Sequence, residues 1–321
     1  MIKAEDVEFH TIPDEDRETW AETNYFPFSI AEEGIAGCVY NVFRPGLGVC
    51  MSDVTIFDRC ARHWEGLAYT DNQQHIPCPP SLAGYRLRNG VMVESIKPPG
   101  DYRVSYRGID DTELHLEYSG LMRPQDLNDP QQDPLTRIRG GGDKAWDKAF
   151  SGHFDMTARV RGELVLRGRR FNVDCLATID RSWGPRLERD NSSAVVVQAY
   201  FDDGLALHLL AGFDPRVADA IGPAYHGYVL RQGEILGVVA AEGKVSRNGL
   251  FPLTMDVSVE DEGGNRYQLA GRMLNWAPWA PYTSVIYYSG LAGWTMDGRR
   301  GYGPYQEILS RAVVARYRLS D

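Results

Sequence analysis

Apolar and polar residues alternate with a period of two along much of this chain. Leu253, Met255, Val257 and Val259 interleave with Thr254, Asp256, Ser258 and Glu260, the pattern of a half-buried strand. Leu205, Leu207, Leu209 and Ala211 form a second such face, with His208 on the opposite side. Tyr102, Val104 and Tyr106 repeat it, as do Leu114, Leu116 and Tyr118. The pairs Asn89-Gly90, Asp203-Gly204, Gly263-Gly264 and Asp297-Gly298 punctuate these runs and predict hairpin turns. No long amphipathic helix stands out, and residues 308–314 fit helix and strand equally. The pattern predicts an all-β protein, sandwich or barrel-like.

The most polar stretch, Arg123 to Lys148, interrupts this rhythm with Pro124, Pro130, Pro134 and Gly140-Gly141-Gly142. A loop this long is functional or a linker. A division is therefore expected near residue 150, into domains 1–150 and 151–321. The 321 residues suffice for two medium domains.

Composition narrows the function. Apolar residues make up 43% of the chain, enough for a sizeable core. A net charge of −10 and the lack of any long Lys/Arg run argue against nucleic acid and anionic membranes as partners. No run approaches the roughly 20 apolar residues of a spanning helix. The acidic, polar N-terminal segment lacks the apolar core of a signal peptide. Cys38, Cys50, Cys60, Cys78 and Cys175 are odd in number and match no zinc spacing. Reduced thiols and a cytoplasmic location are the expectation.

Cofactor motifs are missing. The histidines, His10, His63, His75, His115, His153, His208 and His226, form no H-x-H or H-x-x-x-H pair, so no metal site is expected. The glycine triplet at Gly140 is no dinucleotide fingerprint, and no G-x-S-x-G elbow occurs. No cofactor is expected.

The densest chemistry lies in Asp180-Arg181-Ser182-Trp183-Gly184-Pro185-Arg186, which follows a strand-like run and ends in a turn signal. Asp180 is the best acid candidate. Alternation puts it on the face of Thr178, Leu176, Asp174 and Asn172, opposite Phe171, Val173, Cys175, Ala177 and Ile179. In a simple sheet that face meets water; in a barrel enclosing a ligand it lines the cavity. Burial would raise the Asp180 pKa, and Arg181 or Arg186 beside it would lower it, as would a structural ion pair with either. Trp183, Arg181 and Arg186 are candidate substrate contacts. Tyr225-His226-Gly227-Tyr228 reads as a pocket wall with a proton carrier or as ordinary aromatic packing, and His153 beside Phe154 has the same two readings. An aromatic block includes Trp276, Trp279, Tyr282, Tyr287, Tyr288 and Trp294. Most of it is expected to be core, with Trp279 and Tyr287 as pocket candidates. Tyr302 and Glu307 close the block, Glu307 as a weaker acid or base.

The Asp180 to Arg186 motif, with His153 upstream and Gly301-Tyr302-Gly303 downstream, resembles the carotenoid 1,2-hydratase-like and AttH-like superfamily. Trp20, Tyr25, Phe26 and the Gly34 to Arg44 segment fit the opening of its bacterial relatives. The resemblance implies two lipocalin-like β-barrel domains packed together, with a ligand cavity near their contact. It also implies cofactor-free hydration, cyclisation or rearrangement of hydrophobic molecules, with Asp180 as proton donor. One departure stands out: the hydratase pattern has His after that Asp, where this chain has Arg181, a poor general acid. The resulting expectation is a lyase, hydratase or isomerase using Asp180, His153 and His226 on a small hydrophobic or aromatic molecule, with a homodimer as a possible assembly. The rival is a lipocalin-like carrier without catalysis. A buried acid in a closed cavity favours the enzyme, and a wholly apolar cavity favours the carrier.

Overall fold

Strands alternate as the pattern requires, and their apolar faces build two cores. A computed structural model describes residues 1–139, 151–186, 193–213, 220–281 and 284–318. Strand makes up 66% of it and helix 9%, so the all-β expectation holds. The first sheet is antiparallel and open. From one edge its strands run Tyr69–Pro77, Val49–Phe57, Ile35–Arg44, Trp20–Ile30, Arg169–Pro185, Gly152–Leu166, Glu113–Gly120, Asp101–Arg107, Val91–Lys97 and Gly84–Arg86. It curls around a core in which Tyr102 faces Tyr118, Val104 faces Leu116 and Tyr106 faces Leu114 across paired strands. Such directly opposed apolar pairs hold a sheet's register.

The second sheet uses the chain from Ser193 to Ser310. Eight of its strands close into a barrel, because Arg266–Met273 pairs with Val285–Met296 as well as with Phe251–Asp261. Closure removes exposed edges. Leu205, Leu207, Leu209 and Ala211 point into this barrel, as their alternation predicts. Met255, Val257 and Val259 also point inward, but Leu253 is exposed. Ser246 pairs with Thr254 and the adjacent Arg247 with Pro252. Leu253 is therefore the extra residue of a bulge, which breaks the alternation there. The Asp297-Gly298 turn joins its strands with positive φ at both residues, 50° and 77°, as a primed hairpin turn demands.

Residues 152–185 add two strands to the first sheet, so the change of sheet comes after Pro185. It does not coincide with the boundary expected near residue 150, and the Asp180 to Arg186 motif belongs to the first sheet. The reason is long-range pairing: Tyr25 lies opposite Asp180, and Asn24 opposite Arg181. Gly140 to Phe150 lie outside the described residues. The earlier part of the polar loop crosses to the barrel. Its short helix Pro134–Ile138, capped by Asp133, buries Leu135 in the barrel's core cluster. Residues 308–314 divide, the strand ending at Ser310 and a helix, Arg311–Arg318, following.

The two sheets pack face to face through polar ties. The Tyr200 hydroxyl donates to Thr178 Oγ1 at 2.9 Å, and Tyr228 OH and Thr157 Oγ1 share a 2.9 Å bond. Gln306 Nε2 donates to Tyr25 OH at 2.8 Å. Asn275 Nδ2 donates to the Gly34 carbonyl at 2.6 Å.

Candidate active site

The even-numbered face at the end of the Arg169–Pro185 strand looks neither to water nor into a barrel. It looks across to the second sheet. Thr178, Asp180 and Ser182 share this face with Thr157, Asp155 and His153, their register partners on the neighbouring strand. A cavity of about 90 Å³ lies between the sheets. Asp180, Asp155, His153, Ser182 and Arg186 form its polar end, joined by His208 from the barrel. Tyr25, Tyr40, Trp279 and Tyr287 form an aromatic wall. Trp279 also borders an outer, apolar cavity of about 390 Å³ lined by Trp64, Leu67, Pro278 and Ile286.

Asp155 is the hub of the polar end. Its Oδ2 lies 2.9 Å from His153 Nε2, 3.2 Å from His208 Nε2 and 3.6 Å from His226 Nε2. Burial works against its ionised form, but the charges and hydrogen bonds of His208 and His153 hold it well below the ordinary aspartate value. Burial would lower the His153 pKa, and Asp155 beside it reverses the sign, leaving the imidazole above its ordinary value. Asp180 behaves differently. Burial raises its pKa, and the charge of Asp155 adds to the rise, against the opposing charges of His153 and Arg186. Asp180 is only half-covered as a residue, yet its Oδ1 is shut off from water without a hydrogen-bond partner. A carboxyl so placed keeps its proton to higher pH than an ordinary aspartate.

Several expected contacts lie elsewhere. Arg181 points to the other face of the strand. Its Nη2 reaches Glu22 Oε2 at 2.6 Å and the Glu8 carbonyl at 2.8 Å, so it pairs with Glu22 and not with Asp180. Strand alternation separates the two neighbours. Trp183 follows Arg181 onto that face and stacks on His10 with ring centroids 3.9 Å apart. Glu307 is fully buried among barrel residues, held by the Arg247 guanidinium and by Tyr305 OH at 2.7 Å. Tyr302 is 40% exposed. Tyr225 lies beneath the Arg139 guanidinium, outside the cavity lining. Tyr228 is buried against the first sheet through Thr157. His226 stands just behind the cavity wall, between Asp155 and Asp133.

Asp155, His208, Gln198 and Asp133 were not among the expected site residues. A usable signal existed for two of them. His208 and Gln198 are lone polar residues within apolar runs, and a buried polar group must find partners. The five cysteines are free thiols. Among the described residues no helix is long and apolar enough to cross a membrane.

Residues 3–308 match the family described as Domain of unknown function (DUF7064). The chain belongs to the DUF7064 family. No curated protein matches it. Kievitone hydratase from Nectria haematococca is similar in structure, with a TM-score of 0.58 at 12% identity, over 92% of this chain and 89% of that one. An AttH-type protein from Nitrosomonas europaea gives a TM-score of 0.54 at 14% identity, over 90% of this chain and 91% of that one. At such identities the likeness establishes the fold. This DUF7064 member thus shares the two-part, lipocalin-like fold of these two proteins.

Proposed function

We propose that this DUF7064 protein is a hydro-lyase-type enzyme that adds water to, or removes it from, a carbon–carbon double bond of a small hydrophobic or aromatic molecule. The observation that carries this reading is the Asp180 carboxyl, its pKa raised and its Oδ1 unpartnered, beside an aromatic wall in a cavity between two sheets. The shared fold with a hydratase supports it. In the hydration direction, neutral Asp180 gives its proton to one alkene carbon, and the π electrons form the new C–H bond. The faces of Tyr25, Tyr40, Tyr287 and Trp279 favour the cation left on the other carbon. Water adds there, and the oxonium proton returns to the Asp180 carboxylate, so one H2O is gained and the acid regenerated. The small inner cavity suits the reacting end of the molecule, and the apolar space beyond Trp279 suits the remainder. A carrier would need no polar cluster at the end of its cavity, and such a cluster costs binding energy unless a ligand group uses it.

The test is incorporation of ¹⁸O from labelled water into terpenoid, steroid and aromatic alkenes, followed by mass spectrometry. Wild-type protein is expected to label at least one class, and Asp180→Asn to lose about 10²-fold in rate. Tight binding of such compounds with no labelling and no dehydration of the matching alcohols would favour the carrier.

A further inference from the structure

The grouping of Asp155, His208 and His226 is larger than the acid role of Asp180 requires. Their donor atoms come from three strands and lie within 4.8 Å of one another. All three residues are buried. We propose that these three side chains bind one divalent transition-metal ion, Zn²⁺ being one that the donor set suits.

His226 carries the argument. Its Nδ1 lies 3.2 Å from Asp133 Oδ1, and Asp133 is itself fully buried and fixed by the Thr136 N–H at 2.8 Å. An imidazole that donates Nδ1–H to a carboxylate presents Nε2 as a bare lone pair. That Nε2 has no hydrogen-bond partner, is out of water and faces Asp155 Oδ2 at 3.6 Å. Two acceptors facing each other in a buried site repel, and a cation between them turns the repulsion into attraction. A carboxylate behind a histidine is the usual support of a metal-binding imidazole, fixing its tautomer and raising its basicity.

The spacing agrees. Zn²⁺ bonds of about 2.0–2.1 Å in a tetrahedron put ligand atoms roughly 3.3 Å apart. Asp155 Oδ2 is 3.2 Å from His208 Nε2 and 3.6 Å from His226 Nε2. Two imidazoles and one carboxylate are a borderline-soft donor set suited to Zn²⁺ and its neighbours, and not to Ca²⁺ or Mg²⁺. Asp155 and His208 also line the cavity, so an ion held there is reachable by a molecule inside it, as an open coordination position requires. The sequence spacing of the histidines argued against a metal site because the set is assembled from residues far apart in the chain.

The test is metal binding by full-length protein freed of metal by chelator dialysis, at pH 7.5. Co²⁺ is followed by its visible absorption and Zn²⁺ by competition with a chromophoric chelator. One equivalent with a dissociation constant below about 1 µM is expected. Asp155→Asn and His208→Gln should each weaken it by about 100-fold or more, and Asp133→Asn by about 10–100-fold. His115→Gln, at an exposed histidine, should leave it unchanged. Absence of saturable binding, or wild-type affinity in both Asp155→Asn and His208→Gln, overturns the proposal. Should those variants fail to fold, X-ray absorption of the Zn²⁺-loaded wild type decides. Two imidazoles with one further N or O ligand from the protein support the site, and sulfur ligation or a shell without imidazole overturns it. Asp180→Asn should bind the ion within a few-fold of wild type. Loss of its turnover therefore tests the reaction and loss of metal in the triad variants tests the site.

Discussion

Asp180 and Arg181 are adjacent in sequence, and the two faces of their strand bury charge in opposite ways. On the Arg181 face all three guanidinium nitrogens have partners. Nε bonds to the Asp6 carbonyl, Nη1 to that of Thr23, and Nη2 to Glu8 and Glu22. Glu22 in turn accepts from the His10 backbone N–H at 2.8 Å and from Trp20 Nε1 at 3.1 Å. On the Asp180 face one carboxylate gathers three imidazoles while its neighbour keeps an unpartnered oxygen. A densely paired network locks the N-terminal segment to the sheet and has little left for a ligand. An unsaturated one has polar capacity to spare, which natural interiors rarely tolerate without a use. The comparison turns on hydrogen-bond capacity left over, because both faces are charged and buried.

The largest effect should come from the Arg181 side. Arg181→Met leaves Glu22 buried without its cation, and a loss of about 3–5 kcal/mol in urea unfolding is expected, with turnover per folded molecule near wild type. A catalytic loss beyond the folded fraction would break the contrast. On the other side, Asp180→Asn should cost about 10²-fold in turnover while the thermal midpoint holds or rises. A large fall in that midpoint would make Asp180 structural. Tyr228→Phe, which removes the hydroxyl shared with Thr157 between the sheets, should cost only about 1 kcal/mol; equilibrium unfolding reads it directly.

The subtlest expected effect is a difference of sign with pH in metal-free protein. Burial would raise the Glu22 pKa, but hydrogen bonds from His10 and the charge of Arg181 leave it lowered. Its stabilisation is present above its unfolded value, near pH 4.5, and is lost as pH falls through the folded value. The gap between wild type and Glu22→Gln should close on acidification. Asp180 is raised, so its contribution is present below its unfolded value and lost as pH rises through the folded one. Asp180→Asn should therefore gain on wild type as pH rises from about 4. Unfolding curves across this range check both, and parallel behaviour of the two variants would contradict the assignment.

Local pattern made the strands legible. The Leu205 to Ala211 face, the Tyr102 and Leu114 strands and the Asp297-Gly298 turn all follow rules acting over a few residues. The bulge at Leu253 was hidden because register with a partner strand creates it. The joining of residues 152–185 to the first sheet was hidden too, since no local signal names a partner so far back in the chain. Asp180 was legible by its motif, and its face by alternation, but what that face meets depended on the packing of two sheets. His208 was visible as a polar residue among leucines. Its meeting with Asp155 and His226 was not, because three strands contribute one group each. Arg181 and Trp183 were drawn to the site by proximity in sequence, which in a strand sends every second side chain away.

The central strand of the first sheet, Trp20–Ile30, is buried along all eleven residues, and one of its two neighbours is Arg169–Pro185. On the ribosome these partners emerge on the order of 150 residues apart, which at typical synthesis rates is roughly 10–30 s. For that interval one edge of a strand destined for burial stands open, offering its N–H and C=O groups to any passing chain. A nascent chain stalled before residue 169 is thus a template for aggregation, and escape from that hazard arrives with the same strand that delivers Asp180.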